Sequence, residues 1–135
     1  MNKQGLIYVA SPYYHDNHYI MEERWEITSK ACYIMLQAGF HIISPIMHWH
    51  PTKKLGLQYG QVDDKLVALN VKLLNCCNEI VVLTLNGWKE SLGVTAEIEY
   101  ARTNNINLVY LSDIDLFNTL AKFGATGDKK YGTTD

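Results

Sequence analysis

Leu6-Ile7-Tyr8-Val9-Ala10-Ser11-Pro12 places five apolar residues in a row and stops them with a serine and a proline. A run this short, with no polar position inside it, is the pattern of a strand buried on both faces, as in a parallel sheet. Downstream, Ile20, Trp25, Ile27, Ala31, Ile34, Met35 and Ala38 recur at helical spacing, and Gly39 stands where a helix should stop. Phe40 to Ser44 is a second apolar run, closed by Pro45. The opening unit is therefore β-α-β. Residues 45–60 contain Pro45, Pro51, Gly56 and Gly60 without a sustained period, and they read as a long loop. A helix is predicted from about Val62 to Asn75, carrying Leu66, Leu69, Leu73 and Leu74. Glu79 to Thr84 is the third strand, punctuated by Asn86-Gly87. A third helix is expected from about Leu92 to Asn104, a fourth strand from Ile106 to Leu111, and a short helix from Asp113 to Lys122. Alternation of this kind predicts one doubly wound α/β domain over residues 1–123, flavodoxin- or Rossmann-like, with four to five parallel strands and helices on both faces. Residues 124–135 are rich in Gly, Thr and Lys and read as a flexible tail. Ligands of such sheets bind outside the carboxyl ends of the strands, near the point where strand order reverses. Loops 11–17, 45–60 and 85–91 are expected to meet there.

Composition narrows the function classes. The chain has 135 residues, 47% of them hydrophobic and 19% charged, with a net charge of −2. One domain of ordinary globular type fits these values. No basic field favours polymeric DNA or RNA, although a single nucleotide needs only one local clamp. Cys32, Cys76 and Cys77 are odd in number and form no C-x-x-C pair, so they read as buried reduced thiols and not as a disulfide framework or a zinc site. The start lacks a charged segment followed by a long apolar run, and no apolar stretch approaches about 20 residues. A cytoplasmic protein without a membrane span is expected, with no cofactor.

Two segments carry candidate chemistry. His48 and His50 flank Trp49 in a proline-bounded stretch. An H-x-H pair can bind zinc, but no third ligand stands at short spacing, so no metal is expected. One histidine as a substrate contact or acid, or both as loop packing, are the open readings. In Asn86-Gly87-Trp88-Lys89-Glu90-Ser91-Leu92-Gly93-Val94-Thr95-Ala96-Glu97, Ser91 sits where an N-cap belongs. Gly93 lets backbone approach closely. The free N–H groups and positive dipole end of the helix suit a phosphate or carboxylate. Glu97 follows on the same helix, so a sugar held by its phosphate could present a carbon to that carboxylate. The alternative is that Ser91 is only a cap and that Glu97 and Glu99 are solvated charges. Arg24 and Lys89 could touch a phosphate but read more readily as a solvated face, and Trp25 and Tyr33 read as core.

Leu85 to Ala101 resembles the active-site signature of the nucleoside 2-deoxyribosyltransferase superfamily, in which a Ser- or Asp-x-Gly turn lies four residues before a catalytic Glu. Ser91-Leu92-Gly93-Val94 is especially similar to the branch that hydrolyses the N-glycosidic bond of deoxynucleoside monophosphates, where the serine contacts the 5′-phosphate. Ile7 to Pro12 resembles the superfamily's first strand and ribose-side loop. Ser44 to Pro51 and Gly87-Trp88 look closer still to an uncharacterised bacterial and phage branch. The resemblance runs from about Leu6 to Leu111. It implies that Glu97 attacks the anomeric carbon or stabilises its oxocarbenium character, with Asp64 and Asn70 completing the catalytic set. It also implies a nucleotide or nucleoside held by Tyr8, Ser11, Pro12, Tyr13, His48, His50, Gly87, Trp88, Ser91 and Gly93. A homo-oligomer is expected by the same analogy. The aromatics Tyr8, Tyr13, Tyr14, Trp49 and Trp88 could stack a base. Asn70 departs from the pattern, since an Asp usually stands there and an amide cannot take a proton; Asp63 and Asp64 are candidate substitutes. A non-catalytic nucleotide-binding module is the second hypothesis. A flavin-binding domain is the third, weakened by the bulky Ser11 to His15 loop.

Overall fold

In the computed structural model, which describes residues 1–55 and 64–119, four parallel strands lie in the order β2-β1-β3-β4. These are β1 (Leu6–Ala10), β2 (His41–Ile43), β3 (Glu79–Leu83) and β4 (Asn107–Leu111). Tyr8 pairs with Ile43 on one side and Ile80 on the other, and Ile80 pairs with Leu108. Strand order reverses between β1 and β3, so the loops after these two strands flank the switch point. The doubly wound α/β class read from the alternation is the observed one.

Helices cover both faces. Helix α1 (His18–Gln37) and helical residues 113–119 (α5) pack on Ile7, Val9, Val81 and Leu83 through Ala31, Ile34, Met35 and Leu116. Helices α3 (Asp64–Asn75) and α4 (Leu92–Thr103) pack on Tyr8, Ala10, Ile80 and Val82 through Leu74, Val94 and Ala101. Alternate residues of β1 and β3 thus feed opposite cores, which is why those strands are continuously apolar. Helix α1 closes as its glycine demands. Gly39 sits at φ +91, and the Phe40 N–H reaches back to the Met35 carbonyl at 3.0 Å.

The stretch after β2 is not the loop that its prolines suggested. Ser44 caps a short helix α2 (Pro45–Trp49) by accepting from the Met47 N–H at 3.3 Å, and a 3-10 turn (His50–Leu55) continues it. Residues 56–60 of that expected loop lie outside the described residues, as do Asp63, the expected tail and the domain end at 123. Tyr33, read as core, is 49% exposed on α1. Cys32 and Cys77 are buried, whereas Cys76 is exposed. Among the described residues no helix is long and apolar enough to cross a membrane.

Candidate functional site

Glu97 projects from the inward side of α4, between Val94 one turn before it and Ala101 one turn after, both buried against the sheet. Protein crowds its carboxyl, and loss of water pushes its pKa up to about 7 against the pull of the Tyr8 hydroxyl. Tyr8, at the centre of β1, is fully buried. Burial first, and the Glu97 charge second, hold its proton firmly in place. Tyr8 is therefore the donor and Glu97 the acceptor. The Tyr8 hydroxyl nevertheless makes no hydrogen bond of good geometry, and neither does the buried Oδ1 of Asn70. Asn70 lies one turn from Leu73 and Leu74, which pack with Tyr8 on the same side of the sheet. An unsatisfied buried polar atom costs roughly 1–3 kcal/mol. Two of them on the side that holds Glu97 mark a place where a polar ligand would be welcome.

The open concavity lies on the other side of the sheet, the side that α1 covers. A cleft of about 520 Å³ opens between α1 and the segment after β3, lined by Tyr14, His15, Arg24, Asn86, Gly87 and Ser91 among others. Glu97 and Tyr8 are not in its wall. Helix α4 connects the two regions: Ser91 caps it, accepting from the Val94 N–H at 3.2 Å, and also lines the cleft. Glu97 follows six residues later, about 9 Å along the axis. Arg24 ties the cleft walls together. Its guanidinium donates to the carbonyls of Tyr13 at 3.3 Å, Tyr14 at 2.9 Å and Asn86 at 3.1 Å. Gly87 makes this possible, because a Cβ there would stand 2.5 Å from Arg24 Nη2 and its φ is +92.

The remaining expected site residues divide. Ser11 and Pro12 are buried, and Ser11 Oγ accepts from Thr28 Oγ1 at 3.1 Å. Tyr13 and His50 are also buried and belong to one network. The Tyr13 hydroxyl meets His50 Nδ1 at 2.6 Å, His50 Nε2 meets Glu22 Oε1 at 3.0 Å, and Trp25 stacks on the imidazole. Lys53 Nζ sits 4.9 Å from the Tyr13 ring centroid and 5.1 Å from that of Trp49. These groups pin the loop after β1 to α1 and to the segment 45–55. His48 is exposed on α2, away from that network. Among the described residues no group of three or more His, Cys, Asp or Glu side chains could hold a metal. Trp88 packs at the rim of the α3–α4 core and tilts against Tyr110. Gly93 faces open space, with only Ser91 Oγ near its missing Cβ, at 3.9 Å. Asp64 begins α3. Arg24, Tyr14, His15 and Asn86 belong to the cleft but not to the expected set. A signal for Arg24 exists: it interrupts the apolar spacing of Ile20, Ile27 and Ala31 on one face of α1. A lone cation in an inward stripe is more informative than a solvated one.

A four-stranded parallel sheet with a switch point between β1 and β3 and helices on both faces defines a doubly wound α/β protein. The chain belongs to the family described as a domain of unknown function, DUF1937, which matches residues 5–113. Tyr8, Arg24, Asn70, Ser91 and Glu97 all fall within the matched span. No curated protein matches the chain.

Proposed function

We propose that this protein cleaves or exchanges the N-glycosidic bond of a nucleotide or nucleoside, with Glu97 as the nucleophile. The observation that carries this reading is a carboxylate on the sheet side of α4, facing the buried and otherwise unpartnered Tyr8 hydroxyl. In the reaction a Glu97 oxygen bonds to the anomeric carbon while the C–N bond breaks and its electron pair leaves with the base. Water or a second base then displaces the carboxylate from that carbon. Ser91, at the head of the same helix, receives the 5′-phosphate. Tyr8 orients Glu97 by donating to it, and Asn70 offers its free Oδ1 to a sugar hydroxyl. Three unpaired cysteines fit a reducing cytoplasm as the place of action. A homo-oligomer belongs to this reading, and light scattering on the purified chain tests it.

One observation favours a second reading, a non-catalytic nucleotide-binding module. Asn70 stands where the resembled enzymes carry an Asp, so one ionisable group is missing. The deciding experiment is incubation with a panel of nucleosides and 5′-monophosphates, followed by chromatography for released base. Wild type is expected to release base in single turnover, and Glu97→Gln to bind but release none. Equal release by both overturns the nucleophile assignment. Binding by both with release by neither selects the binding module.

A further inference from the structure

We propose that Arg24 is the anion receptor of the cleft, taking the phosphate of a small phosphate monoester between α1 and the turn at residues 85–91. The guanidinium carries five N–H donors. Three hydrogen bonds to the carbonyls of Tyr13, Tyr14 and Asn86 leave two donors uncommitted. Those carbonyls are neutral, and among the described residues no carboxylate lies within ion-pair distance of Arg24. Burial works against its charge, and the exposed Glu23 supports that charge from a distance without forming an ion pair, so the guanidinium keeps capacity for an anion in a partly dehydrated wall. A purely structural brace between carbonyls needs donors but no charge. The cleft also has room, since about 520 Å³ falls within the range that holds nucleotide-sized ligands. Ser91 lines the same space, and its hydroxyl, which accepts from the Val94 N–H, keeps a proton to donate.

A phosphate suits this set better than a carboxylate. Three terminal oxygens can take the two remaining guanidinium donors and the serine hydroxyl together, and charge-assisted bonds of this kind are the strong ones. Glu23 and Glu90 line the rim, and both are exposed. They disfavour a second anionic group, so the ligand is a monophosphate and not a polyphosphate. This inference deepens the functional reading by naming the side chain that holds the phosphate. It does not require glycosyl chemistry, and its test involves no turnover, so either can fail without the other.

The probe is inorganic phosphate, titrated into ¹⁵N-labelled protein at constant ionic strength and followed by NMR, including the arginine Nε–H signals. The Arg24 Nε–H and the amides of Gly87, Ser91 and Gly93 are expected to shift together and saturate, while sodium chloride leaves them in place. Arg24→Gln is expected to weaken phosphate binding at least about tenfold, and Arg24→Lys to recover part of it as a point charge without the fork. Absence of a saturable shift up to about 50 mM phosphate, a regime weaker than roughly 2 kcal/mol of binding, overturns the proposal. So does saturation centred on other residues, or a folded Arg24→Gln that binds like wild type. Should Arg24→Gln fail to fold, the wild-type shifts and Arg24→Lys decide the matter.

Discussion

At Glu97 two effects of opposite sign act on one carboxyl: lost hydration raises its pKa to about 7, and the Tyr8 hydroxyl lowers it. Because the folded value is the higher one, folding takes up a proton. The associated stability is full below the unfolded carboxylate range and is lost as pH climbs through about 7. Wild type should therefore lose stability from about pH 4.5 to 7, and Glu97→Gln, which is neutral throughout, should not. The shift alone caps the difference near 3 kcal/mol. The residue as a whole is part-exposed, which trims that figure, and loss of the carboxylate forfeits at most about 0.3–1 kcal/mol of helix-dipole attraction. A net gain of about 1–2 kcal/mol for the variant above pH 7 is the expected result of thermal melts across pH. Melting curves of the two proteins that stay parallel over this range would remove the case for a dehydrated Glu97. On the proposed mechanism the ionised form is the nucleophile, so single-turnover base release should rise with pH through about 7. Tyr8→Phe removes the group that lowers this value and should move the rise to higher pH. Stability should hold or rise, because the buried hydroxyl it removes has no well-formed hydrogen bond.

Among the elements, the segment 45–55 shows most clearly how local signals mislead. Ser44-Pro45 is an N-cap followed by a first-turn proline, a helix start, yet the same dipeptide also closes a strand. With only five residues in α2, no apolar period could separate the two readings. What holds this segment is the link from His50 to Tyr13 and Glu22, across 37 and 28 positions of sequence. No local pattern encodes partners that distant. The turn before α4 allows a sharper test, because its two glycines differ physically. Gly87 has φ +92, and its Cβ would strike Arg24 Nη2 at 2.5 Å. Gly87→Ala should cost about 1–2 kcal/mol from backbone strain and loosen Arg24 from the Asn86 carbonyl. Gly93, in the first turn of α4, has no such conflict. Gly93→Ala should be neutral or stabilising by up to about 1 kcal/mol. Urea unfolding of both variants measures the contrast, and equal losses would contradict the role given to the Gly87 conformation.

For the whole molecule, β-α alternation was enough to place the sheet and its class. Continuous apolar strands and helical spacing are repeated signals, and right-handed crossovers leave few topologies. Ser91 as the cap of α4, and the place of Glu97 on that helix, were legible because helix and cap signals share one short stretch. Arg24 was only partly legible: its spacing on α1 is inward, but its hydrogen bonds run to carbonyls 10, 11 and 62 positions away in sequence. The burial of Tyr13 and His50 escaped for the same reason. The proposed division between a catalytic face and an anion cleft can be tested on the intact fold through ligand linkage. A ligand that binds only the folded state adds about 2.7 kcal/mol at a hundredfold excess over its Kd, on the order of 10 °C in Tm for a chain of this length. A nucleoside 5′-monophosphate should raise Tm more than the matching nucleoside at equal concentration. Glu97→Gln should keep that increment, since the amide preserves shape and leaves the cleft untouched, whereas Arg24→Gln should reduce it toward the nucleoside value. Thermal shift measurements on the three proteins with both ligands separate the terms. If Glu97→Gln loses the increment while Arg24→Gln keeps it, the phosphate lies on the Glu97 side of α4 and the cleft serves another purpose.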